Sequence, residues 1–524
     1  MSQSREHAMD HVVLVLFENR SFDNLLGRLY EAGEVDSFEG VIGKDLSNPI
    51  PAWAEYGADR NVVPYRIASN MDSPNPDSGE EYPHTNTQLF NILNEHNRFQ
   101  MADKITAPWN APAQDQVPTM DGFVTDYISF FTAQMGRQPT YNEYAQIMTG
   151  YSPEQVPVLN GLARGFGVFD HWFSEVPSQT FMNRSFWVAG TSSGFVNNAP
   201  TSNFIEHNSA ETIFNRLEQH GKTWKVYVLE PSPISFTGLI SAPRLKDRFA
   251  TNIVPFTEFL DDAANGTLPD FSLIEPALIS GHNDYHPAAG MAMIQGVHLP
   301  VDPPSSVLAG EAFLGQIYSA VRTAYSQEGS NYLNTTLLVS FDEPGGTYDH
   351  LPPPRVPAPE PSKPVGQCGF QFDRSGYRVP AVVVSPWVAE QSIFTEEYRH
   401  TSLLATLREA WSLGAPFTER DASARTFTPV FALDTPRHPD EWPDVTPLPV
   451  PKYLLHVNAL DQFFSGLGKA IVAGCISFAV QLDIELESAP ADPSEEVSAE
   501  QAIAIIHEVA NGVFPRLRAA RRAG

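Results

Sequence analysis

The chain has 524 residues, 62 of them acidic against 33 basic, for a formal net charge of −29. That sign repels phosphate backbones and anionic bilayer surfaces, which excludes nucleic-acid binding and polybasic membrane attachment. A hydrophobic share of 42% excludes a disordered chain, and two cysteines exclude a disulfide framework and every multi-cysteine metal pattern.

The first seven residues carry no basic segment, and the apolar run from Val12 to Phe17 is too short for a signal peptide. No apolar stretch reaches eighteen residues, so no transmembrane segment is expected and the expected compartment is the cytoplasm. His11 to Phe17 reads as a buried strand that ends at Glu18-Asn19-Arg20, and Ser21 to Leu29 reads as a helix. Further strands are expected at Trp224 to Leu229, Phe271 to Ile274, Thr336 to Phe341 and Val379 to Ser385. All are continuous apolar runs, the pattern of strands covered on both faces of a mainly parallel sheet. Helical patterns fall between them at Glu211 to His220, Glu311 to Tyr325 and Thr401 to Leu413. The alternation predicts an α/β fold in three layers. Prolines number 45 and concentrate in two tracts, Pro352 to Pro364 and Pro436 to Pro451. The expected organisation is a catalytic domain over 1–435, a proline-rich linker over 436–451 and a mostly helical extension over 452–524.

In open α/β sheets ligands bind beyond the carboxyl ends of the strands. Two expected strands end in adjacent oxygen donors, Glu18-Asn19 and Asp342-Glu343. Three carboxylates and an amide at one sheet edge repel one another unless a cation sits among them. The segment Ser178-Gln179-Thr180-Phe181-Met182-Asn183-Arg184 reads as a loop entering a helix near Met182. A hydroxyl at such a helix start faces unpaired N–H groups that attract a phosphoryl group. Four histidines fall near the expected site edge: His84, His286, His350 and His400. His282 and His286 have zinc-pair spacing, but Pro287 disfavours helical geometry there. Gly190-Thr191-Ser192-Ser193-Gly194 matches the G-x-S-x-G nucleophile elbow, yet a helix pattern precedes it where the elbow needs a strand.

The combination Glu18-Asn19-Arg20-Ser21-Phe22-Asp23, then Thr180-x-x-Asn183-Arg184, then Asp342-Glu343-x-Gly345-Gly346-x-Tyr348-Asp349-His350 resembles the phosphoesterase family. That family contains non-specific phospholipases C and a group of acid phosphatases, and is similar in fold to alkaline phosphatases. Supporting matches include Asp284-x-His286-Pro287, Gly310-Glu311, Arg378-Val379-Pro380 and His400-Thr401-Ser402. The chain departs from the family at Pro344, where a histidine is usual, and at Met182, where a proline is usual.

The resemblance implies an alkaline-phosphatase-like core with Thr180 as nucleophile. Glu18, Asn19, Asp342, Glu343 and the Thr180 oxygen would surround one divalent cation. Oxygen ligands favour calcium, magnesium or manganese, and histidine participation would favour zinc or iron. Asn183, Arg184 and His84 are expected to bind substrate, and His286 or His350 to protonate the leaving group, with His400 beside them. The expected activity is hydrolysis of a phosphate ester through a phosphothreonine, on a phospholipid or its head group. The alternatives are an acid phosphatase for soluble monoesters and an inactive metal- or lipid-binding module.

Overall fold

The first apolar run forms strand β1 (His11–Phe17), buried at every position from Val12 onward. Successive side chains of a strand point to opposite faces, so burial at odd and even positions alike requires cover on both sides. The computed structural model describes residues 4–56, 61–229, 235–278, 282–287, 291–294, 297–300 and 306–450, with isolated positions between 475 and 509. In it β1 lies near the middle of an eight-stranded sheet. The other strands are β2 (Gly167–Phe169), β3 (Trp224–Val228), β4 (Ile253–Pro255), β5 (Phe271–Glu275), β6 (Thr335–Phe341), β7 (Ala381–Val384) and β8 (Ser392–Phe394). Their spatial order is β8-β2-β7-β6-β1-β5-β3-β4.

The fold is α/β, with helices on both faces of a mainly parallel sheet. β1 runs parallel to both β5 and β6, with Phe17 level with Phe341. One correction concerns direction. The strand expected at Val379 to Ser385 is present as β7 but lies antiparallel to β6 and β2. An unbroken apolar run reports cover on both faces and carries no information about direction. The helices that position the site and its supports are α1 (Tyr82–Phe90), α2 (Pro157–Gly165), α3 (Thr180–Ala189), α4 (Ser306–Arg322) and α5 (Thr401–Trp411). α3 begins at Thr180, two residues before the expected start.

The helix expected over Ser21 to Leu29 contracts to Phe22–Leu25. Asp23 and Asn24 face inward there, held by Arg378 and Arg20, so tertiary bonds override the local apolar period. The proline-rich tract makes contacts of its own with the core. Over 436–450 it is a strap packed on the core. The Trp442 ring meets Phe166 at 5.1 Å and Tyr318 at 6.1 Å, and Arg322 donates to the Pro439 and Pro443 carbonyls. Pro443 and Val445 lie against Gly165 and Gly161 of α2, where a β-carbon would collide with them. The expected helical extension falls largely outside the described residues; of those described, Cys475, Ala479, Ile505 and Val509 are buried in the main apolar cluster. No helix among the described residues is long and apolar enough to cross a membrane.

The strap yields a stability test. Trp442→Ala opens a void between α2 and α4 and should cost about 3–5 kcal/mol, as such truncations do in cores. Urea unfolding of the variant against the parent chain checks it; a shift below about 1 kcal/mol would mean that the strap contributes little to the core.

Candidate active site at the carboxyl ends of the central strands

Because β1 and β6 are parallel and in register, Glu18 and Asp342 emerge side by side. The Asp342 amide donates to the Phe17 carbonyl at 3.0 Å, and the Asn19 amide to Asp342 Oδ1 at 3.3 Å. Asn19 takes a left-handed conformation, φ 54°, which turns the chain across the sheet edge. Gly345 comes so close to it that a β-carbon would lie 2.4 Å from the Asn19 carbonyl oxygen, and its own φ of +60° favours glycine. Ligand-type side chains are thus gathered where the sheet ends.

Helix α3 delivers the hydroxyl. Thr180 is its first residue, fully buried, with Oγ1 3.4 Å from Glu18 Oε2. Four residues on, Arg184 lies on the same helix face and reaches the ends of three adjacent strands. Its guanidinium meets Glu18 at 2.5 Å, Asp342 at 3.3 Å and Glu275 at 3.5 Å. Arg184 thus pairs with the protein's own carboxylates, and its Nη1 is left without a hydrogen-bond partner. Asn183 is bonded to the backbone of its own loop. Its Oδ1 accepts from the Glu175 and Val176 amides, and its Nδ2 donates to the Val176, Ser178 and Gln179 carbonyls. Its role is to hold the loop that presents Thr180.

Burial and the Asp342 charge push the Glu18 carboxyl well up, and burial pushes Asp342 up against the pull of Arg184. Burial, then the charges of Glu80 and Asp342, raise Glu343 well above the usual carboxylate range. A cation would reverse all three shifts. Two buried oxygens of the expected ligand set, Asn19 Oδ1 and Glu343 Oε1, have no hydrogen-bond partner, so the donors present fit a divalent ion. Among the described residues, two other groups bring ligand atoms within 4.8 Å of one another: Asp23 with Asp349 and His350, and Asp77 with Glu80 and His286. Glu18, Asp342 and Glu343 are not among the groups that close up to that degree, and Arg184 Nε contacts both Glu18 and Asp342.

The four histidines separate. His286 is at the site: its Nε2 lies 3.0 Å from Asn19 Nδ2, and its Nδ1 2.8 Å from the Pro287 carbonyl. His350 is engaged elsewhere, by Asp23 at 2.6 Å and Glu39 at 2.9 Å, beside Arg378. His84 pairs with Asp126 at 2.8 Å. Burial opposes its charge, but Asp126 carries it up to about 9, and its Nε2 has no hydrogen-bond partner. His400 is stacked on Trp187 at 4.4 Å, accepts from Trp172 Nε1 and donates from Nε2 to the Asp342 carbonyl at 2.6 Å. Burial lowers it to about 4, so a neutral imidazole supports the Asp342 backbone.

Sequence alone did not single out Asp77 and Glu80. Glu80 accepts from Gln179, the residue before Thr180, at 3.1 Å, and from the Asn19 side chain. The available signal was the acidic run Asp77-Ser78-Gly79-Glu80-Glu81 immediately before α1. The serine motif at Gly190 is no elbow: Gly190 ends α3 in a left-handed cap, and Ser192 donates to the Phe195 carbonyl.

His400 gives a pH test. Its pKa is depressed in the folded chain, so its contribution is present above the unfolded value near 6.5 and is lost as pH falls toward 4. By pH 5 the loss should be about 2 kcal/mol. His400→Gln keeps a donor for Asp342 and cannot take up the proton. Its urea stability should fall less than that of the parent between pH 7 and 5; parallel losses would show that His400 does not carry this dependence.

Comparison with known proteins gives the family. The phosphoesterase family model matches residues 9–414. Non-specific phospholipase C6 of Arabidopsis thaliana is 29% identical over 454 residues, covering 83% of this chain and 75% of its own. Non-specific phospholipase C1 of the same plant is 30% identical over 458 residues, covering 83% and 73%. A solved protein of the alkaline phosphatase superfamily from Vibrio parahaemolyticus is similar over 63% of this chain and 83% of its own, at 12% identity and a TM-score of 0.30, too loose for residue correspondences. With a match running from the first strand through helix α5, the chain belongs to the phosphoesterase family.

Proposed function

We propose that the chain hydrolyses the phosphodiester of a phospholipid or its head group, as a phospholipase C does, through a phosphothreonine on Thr180. The observation that carries the reading is the Thr180 hydroxyl, at the mouth of α3 and 3.4 Å from Glu18, beside buried donors that lack partners. Family membership and relatives named phospholipase C support the reaction class. Glu18, Asn19, Asp342 and Glu343 would hold the divalent cation, with calcium, magnesium or manganese matching their oxygen chemistry. Such an ion supplies a lowered hydroxyl pKa and offsets charge on the phosphoryl group.

The chain's own residues do the rest. Thr180 Oγ1 forms the new bond to phosphorus, its proton facing Glu18 Oε2, while the bond to the leaving oxygen breaks. The first turn of α3 favours the negative charge that develops there. Asn183 fixes the loop, and Arg184 keeps Glu18 and Asp342 in place. His286, the histidine in contact with Asn19, takes up a proton and delivers it to the leaving group. Water then splits the phosphothreonine and restores the hydroxyl.

Thr180→Ala should lower turnover of phosphatidylcholine by about 10⁴ or more, while Ser178→Ala and Ser192→Ala stay within about tenfold. Phosphatidylcholine, phosphocholine and nitrophenyl phosphate, assayed side by side, test the substrate class. A Thr180→Ala chain within tenfold of the parent would overturn the nucleophile. Rapid release of phosphate from the monoesters without diacylglycerol formation would make the enzyme a phosphatase. Chelation should abolish activity, and undiminished turnover in the stripped chain would remove the cation from the reaction.

A further inference from the structure

We propose that Asp77, Glu80 and His286 form a second divalent-cation position beside the ion of the proposed reaction; an ion there and the leaving-group proton of that reaction compete for His286 Nε2. The three side chains come from two distant loops and bring one ligand atom each within 4.8 Å of the others. Glu80 and His286 are buried, and Asp77 is nearly so, with 13% of its side chain exposed. Two carboxylates brought together in that way need a counter-charge.

What distinguishes this cluster is the missing counter-charge. The comparable group of Asp23, Asp349 and His350 is already neutralised by Arg378, at 2.8 Å from Asp23 and 3.0 Å from Asp349. Glu18 and Asp342 have Arg184. Among the described residues, neither Asp77 nor Glu80 makes an ion pair with a lysine or arginine; the hydrogen bonds to the Glu80 carboxylate come from the neutral amides of Gln179 and Asn19. Arg20, the guanidinium that acts on Asp77 from a distance, directs its Nε to the Tyr285 carbonyl and a terminal nitrogen to Asn24 and the Ser73 carbonyl.

Two further features point to a ligand. His286 has Nδ1 at 2.8 Å from the Pro287 carbonyl, which makes Nδ1 the donor and leaves the Nε2 lone pair facing the cluster, 3.8 Å from Asp77 Oδ2. Metal-binding histidines are oriented in this way. The fully buried Asn19 amide touches both Glu80 and His286, and its Oδ1 has no partner. That amide nitrogen already spans two ligand atoms of the cluster, so two carboxylates and one imidazole converge on one point. Mixed oxygen and nitrogen ligands favour zinc, manganese or ferrous iron over calcium.

The test counts metal on the full chain. Protein stripped with a chelator, loaded with zinc chloride and passed through gel filtration is assayed by elemental analysis, alongside Asp77→Asn/Glu80→Gln and Glu343→Gln. Two equivalents in the parent and one in each variant are expected, with circular dichroism confirming that the near-isosteric variants are folded. One equivalent in the parent that survives in Asp77→Asn/Glu80→Gln overturns the second position and leaves the first intact. One equivalent that is lost there but kept in Glu343→Gln supports this position and removes the ion assigned to the reaction. No bound zinc in the parent overturns both, whatever the variants do.

Discussion

A single buried guanidinium ties the structure together. Arg184 leaves helix α3 and meets carboxylates at the ends of β1, β5 and β6, three neighbouring strands. Burying such a group is costly unless it is paired, and removing one partner of a buried pair typically costs about 3–5 kcal/mol. The constraint therefore acts in both directions. The strand ends need Arg184 to tolerate their charge, and Arg184 fixes where the start of α3, and hence the Thr180 hydroxyl, must lie. Glu275 extends the same tie outward, since its carboxylate also accepts from the Phe236 and Thr237 amides at 2.9 Å.

Around this tie, the surrounding polar groups divide into those that are satisfied and those that are not. Asn183 and His400 have their hydrogen-bonding capacity filled by the protein, so they shape the loop and the Asp342 backbone. Asn19 Oδ1 and Glu343 Oε1 are buried without partners. A buried oxygen without a partner calls for an explanation, and a bound cation would supply one for these two.

Much of the fold and part of the site were legible in the sequence. The strands before Glu18 and Asp342 announced themselves as unbroken apolar runs, and parallel pairing brings their ends together. The spacing from Thr180 to Arg184 survives as one helix turn. What was hidden depended on partners distant in sequence. The ion pairs of Arg184 with Glu18, Glu275 and Asp342 join residues up to 166 positions apart, which no local pattern announces. The direction of β7 is absent from its apolar pattern. Asp77 and Glu80 lie in a loop without periodicity, more than 200 residues from His286, and the strap over 436–450 looked like a spacer because prolines mark both.

The pairing of β1 also bears on how the chain is made. Its sheet partners are residues 271–275 and 335–341, so the first strand synthesised waits for more than 250 residues before either edge can be covered. Parallel pairing over such separations forms late. Until then His11 to Phe17, a run of high β-propensity with no acidic residue, lysine or arginine, remains open to contact with other nascent chains.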